Sequence, residues 1–313
     1  MEDYPKDLLE FEAWFSTEED CRDYLYQLRW PYGFHCLRCG HERAWPVGTV
    51  LFQCAQCNYQ TSVVSGTIFH GTHKPLTLWF RMIWWVTGQK NGASAMGLKR
   101  ILGLGSYRTA WVWLHKLRRA MVTPGRDYLA GTVEVDESYI GGEKTGKRGR
   151  GAEGKSLIVI AAEVKDTRIG RIRLQRVPDA SAGSLGGAVQ QAASPGSIIC
   201  TDGWKGYCGM PSLGYTHVVI RNTDEVGVNL LPHCHRVAAL LKRWLMGTHQ
   251  GAVSHAHLDY YLDEFTFRFN RRTSSHRGKL FFRLLQNAVA VDPITYRKLI
   301  KHVRGRKPLN HNI

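Results

Sequence analysis

The sequence predicts an α/β protein in which a small cysteine-rich module and a helical region precede a larger sheet-containing domain. Two Cys-x-x-Cys pairs come first, an aromatic-rich segment with helical periodicity follows, and after residues 123–125 the pattern changes to alternating and branched apolar runs. A chain of 313 residues can hold two or three such domains. The predicted boundaries are a helical segment at 1–33, a ribbon at 34–66, a helical region at 72–124, a sheet domain at 130–290 and a basic tail at 291–313.

Residues 1–33 begin with a helix signature. Ser16 and Glu19 have the spacing of a capping box, in which two side chains satisfy free backbone N–H groups at the start of a helix. Apolar residues recur on one helical face over 21–28, and a Pro and a Gly within 29–33 end the helix.

Four cysteines form two pairs, Cys36 with Cys39 and Cys54 with Cys57. Each pair places two thiolates on one tight turn, and two facing turns complete a tetrahedral site for structural Zn²⁺. A glycine and an asparagine follow the pairs, where the backbone must curl around the metal. Unrelated thiols or disulfides are the alternative. Zinc ribbons occur in DNA-, RNA- and protein-binding modules, so this site does not assign a function.

The helical region contains three predicted helices, at 76–87, 94–102 and 107–121. The last two flank a glycine turn, which is the outline of a helix-turn-helix. The third carries basic side chains that could face a DNA groove, namely Arg108, His115, Lys116, Arg118 and Arg119. A three-helix packing unit with a solvated basic face is the alternative.

The sheet domain is predicted from four strands and one helix. The strands are expected at 132–140, 157–164, 169–177 and 197–201, and the helix at 181–193. Three strands, a helix and a fourth strand follow the order of an RNase H-like α/β sheet whose first three strands are antiparallel. From residue 232 onward the pattern is mostly helical.

The charge balance indicates a polyanionic partner. Lys and Arg number 42 against 26 Asp and Glu, a net charge of +16, which suits nucleic acid but also a ribosomal or membrane-surface protein. The first residues have neither the positively charged start nor the apolar run of a secretory signal, so we expect none, and the longest apolar stretch, 78–86, is too short to cross a bilayer. We therefore expect a cytoplasmic protein that makes no membrane contact and keeps its thiols reduced.

Two aspartates are candidates for metal-dependent chemistry. Asp136 lies in the first strand, on the face opposite Val133 and Val135, and Asp202 directly follows the fourth strand. Carboxylates on neighbouring strands are typical ligands of Mg²⁺, and a pair of such ions would activate and stabilise the oxygens of phosphodiester cleavage. Glutamates at positions 134 and 137 are second choices.

Several long motifs extend this hypothesis. They are Val-Glu-Val-Asp-Glu-Ser-Tyr-Ile-Gly-Gly at 133–142, Lys-Arg-Gly-Arg-Gly at 147–151, Thr-Asp-Gly-Trp at 201–204, and the segments 231–236, 241–249 and 263–272. Together they resemble the DDE transposases of bacterial insertion sequences. The resemblance is to the ISXO-type group, in which a zinc ribbon precedes an RNase H-like catalytic domain, and it covers nearly the whole chain from Cys21 to Arg272.

The resemblance implies two more site residues, His235 as the third metal ligand and Lys242 seven residues later. Most DDE enzymes have an acid at the third position. A neutral imidazole would weaken Mg²⁺ binding and favour Mn²⁺, or it could instead carry a proton to the leaving 3′ oxygen. A histidine on the helix surface is the alternative. On a helix Lys242 would share a face with His235 and could hold a DNA phosphate, and Arg236, Arg243 and His249 would line the same approach.

The segment 143–155 is glycine-rich and basic. It lacks the strand–loop–helix frame of a phosphate-binding P-loop, because Lys155 leads into a strand. We expect Lys147, Arg148, Arg150 and Lys155 to clamp the DNA backbone, and a solvated hairpin is the alternative.

The resulting hypothesis is a transposase that cuts at the terminal inverted repeats of its own element and joins the 3′ ends to target DNA. Because two ends must be joined, a homodimer or larger assembly on double-stranded DNA is expected, in a bacterial cytoplasm and associated with the nucleoid. A zinc-ribbon regulator derived from an inactive transposase and an RNase H-like nuclease without strand transfer are the alternatives.

Overall fold

The computed structural model describes residues 3–122, 126–141, 155–221, 230–251 and 253–301. The chain divides into two compact units, and the first is built from both ends of the chain, Met1–Thr123 with Ser274–Ile313. The second unit is Pro124–Thr273. In the part of the chain that is described, no helix combines the length and apolar character needed to cross a bilayer.

The elements follow the predicted order closely. The helices are α1 (Leu8–Trp14), α2 (Glu18–Arg29), α3 (Leu76–Gly88), α4 (Ala95–Ile101), α5 (Tyr107–Ala120), α6 (Ala182–Ala192), α7 (Pro232–His249), α8 (Leu258–Asn270), α9 (Arg277–Ala290) and α10 (Tyr296–Ile300). The strands are β1 (Ala44–Val47), β2 (Leu51–Cys54), β3 (Gln60–Ser62), β4 (Thr132–Ile140), β5 (Ser156–Lys165), β6 (Arg168–Val177), β7 (Ile198–Thr201) and β8 (Thr216–Val219).

Helix α2 is capped one residue later than the sequence analysis predicts. The hydroxyl of Thr17 accepts a hydrogen bond from the backbone N–H of Asp20, and the carboxylate of Asp20 accepts one from the N–H of Thr17. The predicted pairing of Ser16 with Glu19 is therefore wrong. Both positions offer a hydroxyl followed three residues later by an acid, so spacing alone does not separate them.

Helix α9 lies within the aromatic core of the first unit. Phe281 on α9 is fully buried, and its ring contacts the rings of Phe11, Phe15 and Phe80. The sequence analysis assigns this helix to the sheet domain at 130–290, whereas it packs on α2, α3 and α5. Its apolar stripe has the same period in either location, so periodicity does not tell which core the helix joins.

Helices α4 and α5 pack on each other across the glycine turn at 102–106. The expectation that His115 and Arg118 face a DNA groove is wrong, because both side chains are buried. Nη1 of Arg118 lies 3.4 Å from Nδ1 of His115, and that nitrogen lies 3.0 Å from the carbonyl oxygen of Trp111. These polar groups belong to the interior of the first unit.

The second unit is built on a five-stranded sheet with the strand order β6-β5-β4-β7-β8. Strands β6, β5 and β4 are antiparallel, whereas β7 runs parallel to β4 and β8 runs parallel to β7. This topology confirms the predicted RNase H-like fold. Strand β8, whose four residues lie largely exposed at the sheet edge, is absent from the predicted strands.

Helices cover both faces of this sheet. Val133 and Val135 point to the face covered by α6, where they meet Leu185. Helices α7 and α8 cover the opposite face. Because side chains alternate along a strand, Glu134 and Asp136 lie on the face of α7, as the sequence analysis expects for Asp136. Helix α7 can therefore bring its own side chains onto the candidate carboxylates.

Candidate functional sites

The four predicted zinc ligands converge in the first unit. Their sulfur atoms all lie within 4.8 Å of one another, with 3.7 Å between Cys36 and Cys57 and 3.6 Å between Cys39 and Cys54. Four sulfurs at about 2.3 Å from a zinc ion would lie about 3.8 Å apart at the corners of a tetrahedron. All four cysteines are free thiols, so they fit structural Zn²⁺ and not disulfides.

The backbone around the cysteines has the curl that the sequence analysis expects. The N–H of Gly40 donates to the carbonyl of Cys36 at 3.0 Å, and the N–H of Asn58 donates to the carbonyl of Cys54 at 3.1 Å. Gly40 has φ of 77° and Asn58 has φ of 56°. This left-handed conformation, which glycine and asparagine adopt most readily, turns each chain segment around its pair of sulfurs.

In the second unit, Asp136 on β4 meets His235 on α7. Oδ2 of Asp136 lies 3.3 Å from Nε2 of His235, and Oδ1 accepts a hydrogen bond of 2.8 Å from the N–H of Glu137. The side chain of His235 is 52% exposed and that of Asp136 is 18% exposed, so the pair is open on the histidine side. Two donor atoms at this separation fit adjacent positions around one divalent ion, whose ligands lie at about 2.0–2.1 Å for Mg²⁺.

Asp202 directly follows the neighbouring strand β7. Glu134 on β4 pairs with Cys200 on β7, and two residues further along the two chain segments are Asp136 and Asp202. Among the described residues, however, only the zinc cysteines bring three or more ligand atoms within 4.8 Å of one another. The strand pairing thus aligns Asp202 with Asp136, but the carboxylate of Asp202 does not lie within 4.8 Å of both ligand atoms of the Asp136–His235 pair.

A tight turn fixes the direction of the chain after Asp202. Oδ1 of Asp202 accepts a hydrogen bond of 3.0 Å from the N–H of Trp204, and Gly203 between them has φ of 83°. A Cβ atom at Gly203 would lie 2.6 Å from a methyl carbon of Val219. The turn therefore requires glycine both for its dihedral angle and for space.

Negative charge is concentrated around Asp136. The pKa of Asp136 is raised to about 6, chiefly by burial and also by the carboxylates of Glu137 and Asp202, while the N–H of Glu137 and the imidazole of His235 act to lower it. The carboxylate of the adjacent residue, Glu137, accepts a hydrogen bond of 3.0 Å from the hydroxyl of Tyr207. A half-buried carboxylate with like-charged neighbours is a place where a bound cation lowers the electrostatic energy.

Glu134, a second choice among the carboxylates in the sequence analysis, contacts the start of helix α7. Its Oε2 accepts hydrogen bonds from the N–H groups of His233 at 2.8 Å and Cys234 at 3.1 Å, and its Oε1 lies 2.5 Å from Nδ1 of His233. Helix α7 has no side-chain cap of its own and begins with Pro232. Glu134 therefore supplies the missing N-terminal acceptor and holds the turn that carries His235.

Helix α7 also presents most of the other residues expected to contact DNA near the site. Lys242 and Arg243 are exposed, as is Arg236. Lys242 lies two turns from His235 on the same side of the helix. His249 is an exception, because its ring packs 4.6–4.8 Å from the centroids of two aromatic rings of α7 and α8. The expectation that His249 lines the approach is therefore wrong.

The other three residues of α5 that are predicted to contact DNA differ in their exposure to solvent. Arg108 is exposed, and its guanidinium lies 4.5 Å from the ring centroid of Tyr296. Lys116 is half-buried, its ammonium lies 5.9 Å from the ring of Trp79, and burial lowers its pKa. Arg119 is half-buried. Of the three, Arg108 is the most open to an external phosphate.

The predicted basic clamp lies mostly outside the described residues. This applies to Lys147, Arg148 and Arg150. Lys155 is described and is half-buried immediately before β5. Their contact with DNA remains a prediction.

Comparison with known proteins agrees with this architecture. Residues 128–270 match the profile of the ISXO2-like transposase domain, and residues 16–60 match that of the transposase zinc-ribbon domain. The chain is also similar to a protein of Halobacterium salinarum described as an uncharacterized protein in transposable element ISH50. The two are 27% identical over 277 residues, which are 81% of this chain and 91% of the relative.

Proposed function

The chain belongs to the ISXO2-like transposases, and from this premise we propose that it cleaves DNA at the terminal inverted repeats of its own insertion sequence and joins the 3′ ends to target DNA. The observation that carries the proposal is the contact between Asp136 and His235, with Asp202 directly after the neighbouring strand, inside the matched domain. These donors are of the type that divalent-metal phosphodiester chemistry uses.

Asp136, Asp202 and His235 would hold Mg²⁺ or Mn²⁺. When bound, such an ion supplies charge stabilisation to the phosphodiester under attack. Alternatively, Nε2 of the exposed His235 imidazole would carry a proton to the leaving 3′ oxygen. Lys242, on the same side of α7, would hold a phosphate of the bound strand as a point charge. Glu134 would hold the first turn of α7 in place, so that His235 stays in contact with Asp136.

The first unit would recognise the terminal repeat. Its zinc ribbon and the α4–α5 pair, with Arg108, Lys116 and Arg119, supply the candidate contacts, and Lys147, Arg148, Arg150, Lys155 and Arg243 would hold the DNA backbone in the second unit. Because two ends must be joined in one reaction, we expect a homodimer or larger assembly on double-stranded DNA. A cytoplasmic, nucleoid-associated location follows from this activity.

Strand transfer by purified protein tests the proposal. The substrate is a duplex oligonucleotide carrying the element's terminal repeat, with a plasmid as target and Mg²⁺ or Mn²⁺ in parallel reactions. Wild type should give joined products, and Asp136→Ala and Asp202→Ala should lose them while still binding the duplex. Asp179→Ala, which removes an exposed carboxylate at the start of α6, is the matched control and should stay active.

Other results would point to the alternatives. Cleaved but unjoined DNA would indicate a nuclease without strand transfer. Repeat-specific binding with no cleavage in either metal would indicate a regulator derived from an inactive transposase.

A further inference from the structure

A basic groove lies directly beside His235 in the second unit. It has a volume of about 850 Å³ and runs between the β5–β6 turn, the first turns of α7 and the end of α8. Arg168, Arg236 and Arg272 line it from these three elements, together with His235. No Asp or Glu is among the residues that line it. The groove therefore offers an anionic ligand positive charge on three sides.

Two of the arginines are free to bind. Arg168 and Arg236 are exposed, and within the described part of the chain neither side chain makes a hydrogen bond or an ion pair. Guanidinium groups of this kind bind phosphate oxygens through paired N–H donors. Exposed arginines are common on any surface, so their presence alone would not define a ligand.

The third arginine is held in a fixed plane. The guanidinium of Arg272 lies 4.1 Å from the ring centroid of Phe269. It donates to the carbonyl oxygens of Phe269 at 2.9 Å, Gly170 at 3.2 Å and Ile169. The residue is nevertheless exposed. Backbone acceptors thus fix a flat cation at the wall of the groove, and such a plane is a stacking surface for a nucleobase.

We propose that this groove binds a short unpaired stretch of the DNA strand that leads away from the phosphodiester processed at Asp136 and His235. Arg272 stacks on a base, and Arg168 and Arg236 hold the adjoining phosphates. The faces of bases inside a duplex are covered by their neighbours, so a stacking plane between phosphate-binding groups fits an unpaired strand better than a double helix. The inference rests on the proposed function, because it takes the strand at this site to be DNA.

Binding experiments on the full chain test the inference without requiring catalysis. The probes are terminal-repeat duplexes, either blunt or with a short single-stranded extension that carries 2-aminopurine, whose fluorescence falls when the base stacks. Wild type should bind the extended duplex about tenfold more tightly than the blunt one and should quench the probe. Arg272→Ala should lose both the preference and the quenching while binding blunt duplex unchanged.

Arg272→Lys separates stacking from charge. It keeps a cation but not the plane, so quenching should be lost while part of the affinity remains. Arg176→Ala removes one charge from the same strand, β6, outside the groove and should leave the preference intact. Thermal melting checks folding, because Arg272 also binds backbone carbonyls. If the Arg272 variants unfold, the double variant Arg168→Gln/Arg236→Gln should still abolish the preference.

Equal affinity of wild type for blunt and extended duplexes, or quenching that survives in Arg272→Ala, would overturn the inference. These outcomes are independent of the strand-transfer assay. A protein that joins ends but shows no preference for the extension refutes the groove alone. A protein that shows the Arg272-dependent preference but joins nothing refutes the proposed reaction alone.

Discussion

Glu134 accepts hydrogen bonds on the face of β4 that also carries Asp136, and its partners lie 99 and 100 residues further along the chain. In Glu134→Ala, the N–H groups of His233 and Cys234 lose their acceptor. We expect the free energy of unfolding to fall by about 1–3 kcal/mol. Strand transfer should fall as well at temperatures where the variant remains folded, because His235 is no longer held against Asp136.

Glu134→Gln keeps one oxygen acceptor and should recover most of the stability and part of the activity. Thermal melting and rates of joined-product formation would be measured on both variants. Strand transfer at the wild-type rate in folded Glu134→Ala would show that α7 is positioned by other contacts.

The imidazole at position 235 should set the metal preference. His235→Glu introduces the carboxylate that a hard ion such as Mg²⁺ prefers, so the ratio of Mg²⁺-supported to Mn²⁺-supported strand transfer should rise. His235→Gln, which has a neutral oxygen, serves as the control and should lower activity with both metals. An unchanged ratio in His235→Glu would favour the role of proton carrier.

At the scale of elements, helix α3 depends on a carboxylate from α2. Its N-cap, Pro75, offers no side-chain acceptor, and Glu18 instead accepts hydrogen bonds from the N–H groups of Leu76 at 2.9 Å and Thr77 at 2.8 Å. Partial burial acts to raise the pKa of Glu18, but the hydrogen bonds from Thr77 and Leu76 outweigh it, and the pKa is lowered from 4.5. Glu18→Ala should cost about 1 kcal/mol of unfolding free energy.

The lowered pKa gives this cost a pH dependence. The contribution of Glu18 should be complete above pH 4.5 and should be lost as the pH falls through its lower pKa in the folded protein. Denaturant melts of wild type and Glu18→Ala should therefore converge on acidification. Glu19→Ala, in the same first turn but exposed, should be nearly neutral throughout. A constant difference between wild type and Glu18→Ala down to pH 3 would contradict the assignment.

The zinc ribbon should be lost when one of its ligands is replaced. Cys54→Ser removes a buried sulfur from the tetrahedron, so the protein should retain less zinc after dialysis, and the ribbon should become sensitive to protease. Cys208→Ser changes an exposed thiol outside the cluster and is the matched control. Equal zinc content in both variants, measured with a metal indicator after denaturation, would contradict the four-sulfur site.

The sequence determines these elements more fully than it determines their contacts. Apolar periodicity predicts β4 and α6 to within a residue or two, because both bury one face against the same core. It does not predict the burial of Arg118, since the partner that covers a helix face is set by tertiary packing. Asp136 could be chosen as a candidate ligand from the alternation of side chains along its strand. His235 could be chosen only from the family resemblance, because nothing in the local sequence distinguishes it from a surface histidine.

At the scale of the whole molecule, the second unit is inserted between two parts of the first. We expect a fragment of residues 124–273 to fold alone, since its sheet and both covering layers lie within it. A fragment of residues 1–123 should not give a cooperative thermal transition, because Phe281 is missing from its aromatic core. Joining residues 274–301 to it through a flexible linker should restore the transition. A cooperative melt of residues 1–123 alone would refute this dependence.

Because the first unit contains segments from both ends of the chain, it can be completed only after the second unit has been synthesised. Domains usually fold from the N-terminus onward as the chain leaves the ribosome. Here the ribbon-bearing unit lacks part of its core until α9 has been synthesised, whereas the inserted unit is complete once Thr273 has emerged. A polypeptide released early, before α9, would carry the complete second unit without a complete first unit. If the first unit recognises the terminal repeat as proposed, such a polypeptide would hold the candidate metal ligands but would not find the ends of its element.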